Sequence, residues 1–387
     1  MARFGDGLSM GEDLVMAAED ATNQALAPLG GRVPDLLCVF VSGGDADEVA
    51  DAFCHAVKVS AAAASIGCSA GGVIAGDRGV EGRAAVSVFA AVLPEARVRS
   101  FHLEVMRADA GAAVVGMPEL DEDDVAVLLA DPYSFPADGF LTQANLSLPG
   151  LPVVGGLASG LHGAGSTRLL VDGRVVDRGA VGILLKSPGV RTLVSQGCRA
   201  VGPPMTVTAA AGNVVRELAG VPAVQRIEQV LSQLLPADQA LASTGLHLGI
   251  AMDEYADEPD FLVRTIMGTE PETGGIVVGD LVPVGASVRL QVRDAEAADA
   301  DLRALLAGYR RDTRDAPAGG ALVFTCNGRG GHLFGSAHGG ADHDPSLVRS
   351  ELAALGVAGF FAGGELGPVA GRNHLHGFTA SVLAFPC

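Results

Sequence analysis

The sequence predicts a mixed α/β fold of two lobes, in which helices cover one face of each mixed sheet. Two observations predict it. Apolar runs of strand length alternate with segments of helical periodicity, and a strand, helix, strand, glycine-turn, strand unit recurs along the chain. A chain of 387 residues is too long for one ordinary core. We therefore expect two domains, an N-terminal one over 1–210 and a C-terminal one over 211–387.

The first unit is read from its periodicity. A helix is predicted over 11–29, ending at Gly30, and the apolar run DLLCVFV (35–41) is a strand. A second helix follows over 46–57, and the next strand begins at Ser65. This order is typical of a layered α/β domain.

Three glycine-rich segments align without gaps and define the repeat: SIGCSAGG (65–72), VVGGLASG (153–160) and FFAGGELG (360–367). An apolar run precedes each copy, and a glycine followed by another apolar run comes after it, at Gly82, Gly179 and Gly377. The alignment places Glu365 against Ala70 and Ala158, so only the third copy carries a carboxylate there. We expect the three turns to converge, and a valine at Gly367 to be more damaging than one at Gly5.

The region between the second and third copies has a different pattern. We predict two helices over 213–235, broken at Gly220, and a strand meander over 246–294. A helix over 294–311 then leads to the third copy.

Charge and composition exclude several classes of function. The net charge of -19 argues against a nucleic-acid or anionic-membrane surface. The N-terminal segment has no signal-peptide pattern, and no apolar run is long enough to span a bilayer, so we expect a cytoplasmic protein without membrane insertion. The six cysteines have no regular spacing, which indicates free thiols. Nucleotide-binding glycine motifs are absent from the sequence.

Two kinds of residue suggest chemistry, and each has a structural alternative. Cys68 and Cys326 both end an apolar strand just before a glycine-rich turn, as a nucleophile does, but a free cysteine is commonly a small buried hydrophobe. Histidines concentrate in the last quarter without the spacing of a zinc motif, so they indicate a polar cavity or loop caps rather than a metal site: His332, His338, His343, His374 and His376. We assign no metal, no cofactor and no catalytic residue.

Motifs along nearly the whole chain resemble the FIST family, a group of sensory domains of bacterial signalling proteins. The N-terminal motifs are IGCSAGGVI (66–74), DPYSFP (131–136), LPVVGGLASG (151–160), DRGAVGILL (177–185) and VSQGCRAVGPPMTVT (194–208). The C-terminal motifs are CNGRG (326–330), FFAGGELGP (360–368) and NHLHGFTAS (373–381). The resemblance implies a small-ligand sensor, with amino acids as the suggested ligands, and it transfers no catalytic residues. Because these motifs fill the length of the chain, we expect signalling to pass through a separate protein partner.

From these residues we predict a ligand pocket between the lobes. Arg329 and the turn amides would bind a ligand carboxylate, and Glu365 would bind an ammonium. In the structural alternative, Glu365 merely neutralises Arg329 or Arg372. The predicted ligand-binding set is Cys68, Ser69, Gly155, Gly156, Cys326, Asn327, Arg329, Glu365, Asn373, His374 and His376. Two other functions stay open, a hydrolase or transferase using Cys326 or Cys68 with His374 or His376 as base, and a non-catalytic adaptor.

Overall fold

The computed structural model describes residues 1–108, 111–252, 260–314 and 317–387. The chain forms two compact units. Unit 1 contains Met1–Gln196, Ala300–Leu375 and Thr379–Cys387, and unit 2 contains Gly197–Asp299 and His376–Phe378. This division differs from the ranges 1–210 and 211–387, which stay a prediction about domains.

The elements follow in chain order. Those up to residue 196 are β1 (Arg3–Met10), α1 (Leu14–Leu26), β2 (Leu36–Ser42), α2 (Ala46–Ser60), β3 (Ala64–Ala70), β4 (Gly72–Ala75), β5 (Arg78–Glu81), β6 (Ala85–Val92), β7 (Arg97–Ala108), β8 (Gly111–Val115), β9 (Asp124–Ala130), α3 (Ala137–Ser147), β10 (Val153–Leu157), β11 (Leu169–Val171), β12 (Arg174–Val176), β13 (Ala180–Lys186) and β14 (Arg191–Ser195). Those in the middle region are β15 (Cys198–Ala211), β16 (Val214–Leu218), β17 (Val221–Pro222), α4 (Ala223–Gln233), α5 (Pro236–Thr244), β18 (Leu246–Ala251), β19 (Phe261–Glu270), β20 (Gly275–Val278), β21 (Ser287–Arg293) and α6 (Ala295–Asp312). The last are β22 (Ala318–Cys326), α7 (Gly330–Phe334), α8 (His343–Leu352), β23 (Gly356–Ala362), β24 (Glu365–Val369), β25 (Arg372–His376) and β26 (Ala380–Pro386). Short 3-10 helices lie at Ala27–Leu29, Ser336–His338 and Gly340–Asp342.

Three sheets build unit 1, and each contains one parallel strand pair. Sheet A has the order β1-β6-β2-β3-β11-β12, sheet B the order β14-β26-β22-β23-β4-β5, and sheet C the order β25-β24-β10-β9-β13-β7-β8. The parallel pairs are β2 with β3, β22 with β23, and β9 with β10. In each pair the crossover contains a helix, as parallel pairing requires. The predicted mixed α/β fold with strand-helix-strand-strand pseudo-repeats is therefore confirmed.

The hairpin after each parallel pair leaves its own sheet. Strands β4 and β5 of the first repeat join sheet B, β24 and β25 of the third join sheet C, and β11 and β12 of the second join sheet A. The chain then returns to its own sheet as β6, β26 or β13. The three repeats thus exchange hairpins in a closed cycle, which the linear repeat pattern of the sequence did not reveal.

One apolar core lies among the three sheets. Phe40 on β2 stacks on Phe360 of β23 at a centroid distance of 5.1 Å and meets Phe324 of β22 edge-on at 6.5 Å. Leu129 on β9 and Val154 on β10 belong to the same buried cluster. A fully buried side chain of this size stabilises the fold by about 1.5–3 kcal/mol.

Strand register corrects the predicted alignment of the third copy. Gly67, Gly155 and Gly359 occupy equivalent places, opposite Val39, Leu128 and Val323 of the parallel neighbour. The sequence alignment put Ala362 where Gly359 lies, an error of three residues. The cross-sheet pairs place Glu365 opposite Gly156, where the other repeats have Val73 opposite Phe360 and Leu169 opposite Cys68. Glu365 is still the one carboxylate among the three, but its equivalents are Val73 and Leu169 rather than Ala70 and Ala158.

Unit 2 is built on a fourth sheet, D, of the order β15-β21-β18-β19-β20-β16-β17. A further pairing of β15 with β16 closes six of these strands into a ring. The four strands predicted over 246–294 are present as β18 to β21, but only β18, β19 and β20 pair in succession as a meander, because β21 pairs with β18 and β15 instead of β20. The helix predicted at the start of 213–235 is wrong, because residues 214–218 form strand β16 between Gly212 and Gly220, both at positive φ, and only α4 is helical there. The β-branched pair Val214-Val215 favours this strand.

Candidate functional site

The turns of the three repeats meet at one place in unit 1. The Ser159 hydroxyl donates to the Phe361 carbonyl at 2.7 Å and accepts from the Gly71 N–H at 2.9 Å. The side-chain oxygen of Asn327 lies 3.4 Å from the point that a Cβ on Gly71 would occupy. The predicted convergence is therefore confirmed, and glycine at position 71 leaves space beside Asn327. The sequence had not singled out Ser159, although it lies within the second glycine motif.

Glu365 is the central titratable group of this region. Its side chain is fully buried, and its Oε2 accepts from the Thr379 N–H at 3.1 Å and from the Thr379 hydroxyl at 2.8 Å. Its Oε1 has no hydrogen-bond partner in the described part of the chain. Burial raises the pKa of this carboxyl to about 8, against smaller opposing effects of Thr379, the Cys326 thiol and Arg329. Glu365 is therefore mostly protonated at neutral pH.

Arg329 makes a buried ion pair with Asp344. The guanidinium is fully buried, and its Nε and one terminal nitrogen lie 2.8 Å and 2.9 Å from the two Asp344 oxygens. Although burial acts in the opposite direction, Arg329 holds the pKa of Asp344 well below its usual range. The other terminal nitrogen donates to the Gln196 carbonyl at 3.2 Å. Asp344 is therefore the ion-pair partner of Arg329, whereas the binding of a ligand carboxylate by Arg329 stays a prediction.

His343 and Phe334 complete the surroundings of this ion pair. The His343 ring stacks on Phe334 at a centroid distance of 3.5 Å, and its Nδ1 lies 2.9 Å from an Asp344 oxygen. The Arg329 guanidinium lies 5.3 Å from the centroid of the Phe334 ring. The stacking of Phe334 on His343 thus holds the short helix α7 against α8, and the cation–π contact lies within the α7 segment.

The two candidate cysteines have different environments. Cys68 is fully buried in the core shared by the sheets, and burial raises its pKa well above the usual value. A thiol of this kind is unreactive in the folded protein. Cys326 is half-buried at the end of β22, and its sulfur accepts the Gly328 N–H at 3.3 Å. Of this pair, only Cys326 is partly accessible to solvent.

Four other predicted ligand residues make hydrogen bonds or close packing contacts with neighbouring segments of unit 1. The buried Ser69 hydroxyl accepts from Arg168 N–H at 3.3 Å. A Cβ at Gly155 would lie 2.0 Å from the Leu128 carbonyl oxygen, and one at Gly156 would lie 2.8 Å from the Cβ of Ala362. The Asn373 side chain accepts from Val153 N–H and donates to the Leu151 carbonyl, both at 2.8 Å.

The two histidines of β25 are divided between the compact units. His374 is half-buried in unit 1, whereas His376 is buried and belongs to unit 2. The nine other residues of the predicted set all lie in unit 1 with His374. Thr379, which holds Glu365, was not predicted, because a threonine at a strand start carries no distinctive sequence signal.

The described residues add two findings about broad function. They contain no group of three or more histidine, cysteine or acidic side chains arranged to bind a metal ion. None of the helices in that part of the chain combines the length and apolar character needed to cross a membrane. A cavity of about 210 Å³ lies at the two chain ends, and its lining includes Met1, Leu93, Pro188 and Cys387 rather than residues of the predicted set.

Three sheets around one core and a closed strand ring define a two-unit mixed α/β protein. The chain belongs to the FIST family, because the FIST N domain model matches residues 35–221 and the FIST C domain model matches residues 223–368. The resemblance inferred from the motifs is confirmed. FIST domains are sensory domains of signal-transduction proteins.

Similar proteins occur in mycobacteria. An uncharacterized protein of Mycobacterium tuberculosis is 42% identical over 387 residues, which cover 99% of each chain. An uncharacterized protein of Mycobacterium bovis is 41% identical over 391 residues, covering 99% of this chain and 98% of its own. The similarity therefore extends through both family regions.

Proposed function

We propose that this chain is a cytoplasmic sensor of a small ligand that carries an ammonium group, and that Glu365 binds this group. The observation that carries the proposal is the unpartnered Oε1 of a fully buried carboxyl. A buried polar atom without a partner is costly, so such atoms commonly mark a place that a ligand, ion or water fills. The half-buried residues 326–328 next to Glu365 provide the approach.

The ligand that fits best is an amino acid. An ammonium supplies N–H donors to Oε1, and the side chain of Asn327 beside Gly71 offers an amide to the ligand carboxylate. Asn327 takes this role because Arg329 is committed to Asp344. The ligand signal would pass to a separate protein partner.

Binding of a cation beside Glu365 favours the ionised carboxylate. Since burial raises the pKa to about 8, the free protein holds the proton at neutral pH. An ammonium ligand should therefore release about one proton on binding. A neutral ligand that merely fits the space would release none.

A thermal-shift screen of the amino acids and simple amines identifies the ligand, and calorimetry in two buffers of different ionisation enthalpy counts the protons. We expect the best ligand to release about one proton from the unmodified protein, and to bind Glu365→Gln much more weakly without proton release. Glu228→Gln is the matched control, because Glu228 is exposed in unit 2. Equal binding by Glu365→Gln, or no ligand in the whole screen, would contradict the proposal.

A second candidate function is a thiol hydrolase or transferase that uses Cys326. The observation favouring it is that the half-buried Cys326 thiol lies close enough to the Glu365 carboxyl to act on its pKa, so this carboxyl can serve as its base once ionised. Iodoacetamide labelling of Cys326 at increasing pH tests it. Labelling that depends on pH as for an ordinary free thiol, and is unchanged in Glu365→Gln, excludes this function.

A further inference from the structure

Unit 2 contains a cluster of buried polar atoms that lack hydrogen-bond partners. Both ring nitrogens of His247, the Nε2 of Gln291 and the Nε of Arg293 are buried and unpartnered in the described part of the chain. His247 is 5% exposed and Gln291 is 2% exposed, so neither side chain is satisfied by bulk water. Four such atoms in one cluster are unusual, because buried polar atoms are nearly always bonded.

The sheet places these side chains together. His247 on β18 lies opposite Gln291 on β21, and Arg293 follows Gln291 by two residues, so the three share one face of sheet D. The point where a Cβ on Gly245 would stand is 3.7 Å from Arg293 Nε and 3.7 Å from His247 Nε2. Glycine at 245 therefore keeps open a space that both polar groups reach.

Phe378 covers the same cluster in a conformation that is uncommon for an aromatic residue. Its φ is 65°, and its ring lies 4.3 Å from the His247 ring centroid and 5.7 Å from the Arg293 guanidinium carbon. Positive φ is a strained conformation for a non-glycine residue, and such strain concentrates at ligand-binding positions. Gly245, Arg293 and Phe378 are half-buried, whereas His247 and Gln291 lie deeper.

The charge of the cluster indicates which kind of ligand it can bind. Arg293 is a permanent cation. Burial, and to a smaller extent the nearby Arg293, lowers the pKa of His247 to about 4. The imidazole is therefore neutral at neutral pH. The acidic neighbour in sequence, Asp294, is bound to Arg199 at 2.8 Å and so is committed elsewhere. The cluster thus offers one positive charge and at least two free N–H donors, from Arg293 and Gln291.

We propose that Gly245, His247, Gln291, Arg293 and Phe378 form a binding site for a small carboxylate anion. The Nε of Arg293 and the amide of Gln291 donate to the carboxylate oxygens, and the His247 ring supplies or accepts one further hydrogen bond. The Phe378 ring packs against the apolar part of the ligand. This site is independent of Glu365, and neither proposal requires the other.

The variant Gly245→Ala tests the proposal with little risk to folding. The new methyl group would meet its nearest neighbours at 3.4–3.7 Å, which is ordinary van der Waals contact, and it would occupy the space between Arg293 and His247. Gly268→Ala is the matched control, since a Cβ at that position of the same sheet meets nothing within 4 Å.

The probe is sodium acetate, titrated at constant ionic strength against sodium chloride and at constant neutral pH. The readout is the ring signal of His247 in a carbon–proton correlation spectrum, assigned from its loss in His247→Gln. We expect a saturable shift with a dissociation constant on the order of 1 mM, weakened at least about tenfold by Gly245→Ala and unchanged by Gly268→Ala.

Three results would overturn the proposal. The first is an absence of any saturable acetate shift in the unmodified protein, and the second is an acetate response equal in Gly245→Ala and Gly268→Ala. An equal shift with chloride would also overturn it, because it would show a general anion effect rather than carboxylate binding. Glu365→Gln should leave the acetate shift unchanged, so failure of this site and failure at Glu365 can be told apart.

Discussion

Replacing Glu365 by glutamine should change how the stability of the protein depends on pH. The pKa of this buried carboxyl rises from 4.5 to about 8 on folding, and burial is the main cause. Between these values the unfolded chain loses the proton that the folded protein keeps, so the free energy of unfolding falls as pH rises. At about 1.4 kcal/mol for each pKa unit, the total loss is on the order of 5 kcal/mol. Glutamine fits the same space, has no ionisable proton, and so removes this loss.

Urea unfolding followed by circular dichroism across the window from pH 4.5 to 8 provides the measurement. We expect Glu365→Gln to gain stability relative to the unmodified protein by up to about 1.4 kcal/mol per pH unit in this window. Glu228→Gln should show no such trend, because that side chain is exposed. A stability difference between Glu365→Gln and the unmodified protein that does not vary with pH would refute the reasoning.

Two further predictions concern the packing of unit 1. Asp344→Asn should lower the free energy of unfolding by about 3–5 kcal/mol, because it leaves the buried Arg329 charge uncompensated; a loss below about 1 kcal/mol in urea unfolding would show that the pair is not needed. Gly359→Ala should prevent folding or strongly destabilise unit 1, since its Cβ would stand 1.7 Å from the Val323 carbonyl oxygen, whereas Gly139→Ala, with nothing within 4 Å, should be tolerated. Equal thermal melting of these two alanine variants would contradict the close approach.

The sequence predicted the elements whose pattern has a local cause. The run from 35 to 41 became β2 with a shift of one residue, because its residues are apolar and face cores on both sides of sheet A. The register of the third copy was wrong because the alignment matched glycines by composition. In the structure, the three copies share a different feature. Each has one glycine that packs closely against a carbonyl oxygen of the neighbouring strand.

The sequence also could not predict which glycines tolerate replacement by a larger residue. Gly5 was expected to accept a larger side chain more readily than Gly367, but a Cβ at Gly5 would lie 2.1 Å from the Ala25 carbonyl oxygen. At Gly367 the nearest atom, 2.4 Å away, is in the Val194 side chain, and the φ of Gly367 is not in the left-handed region. The expected ranking is therefore not supported, because the docking of α1 on β1 depends on tertiary contacts.

For the site, the sequence identified Glu365 as unusual because a carboxylate among glycines is conspicuous. It could not tell that Arg329 pairs with Asp344, fifteen residues away, since many acidic residues lie within reach along the chain. It also missed His247 and Gln291. Their importance depends on which face of a strand is buried and on the bonds they lack, and neither property is written in the local pattern.

The cyclic exchange of hairpins affects how unit 1 can fold while the chain is being synthesised. A polypeptide that stops at Gln196 contains two complete repeats, yet sheet C would lack β24 and β25, and β10 would expose an unpaired edge. Sheet B would be represented only by β4, β5 and β14. During synthesis, therefore, β4, β10 and β14 have no partners in these pairings until the C-terminal strands β23, β24 and β26 have been made. Early release of a nascent fragment should yield aggregates rather than a smaller folded protein.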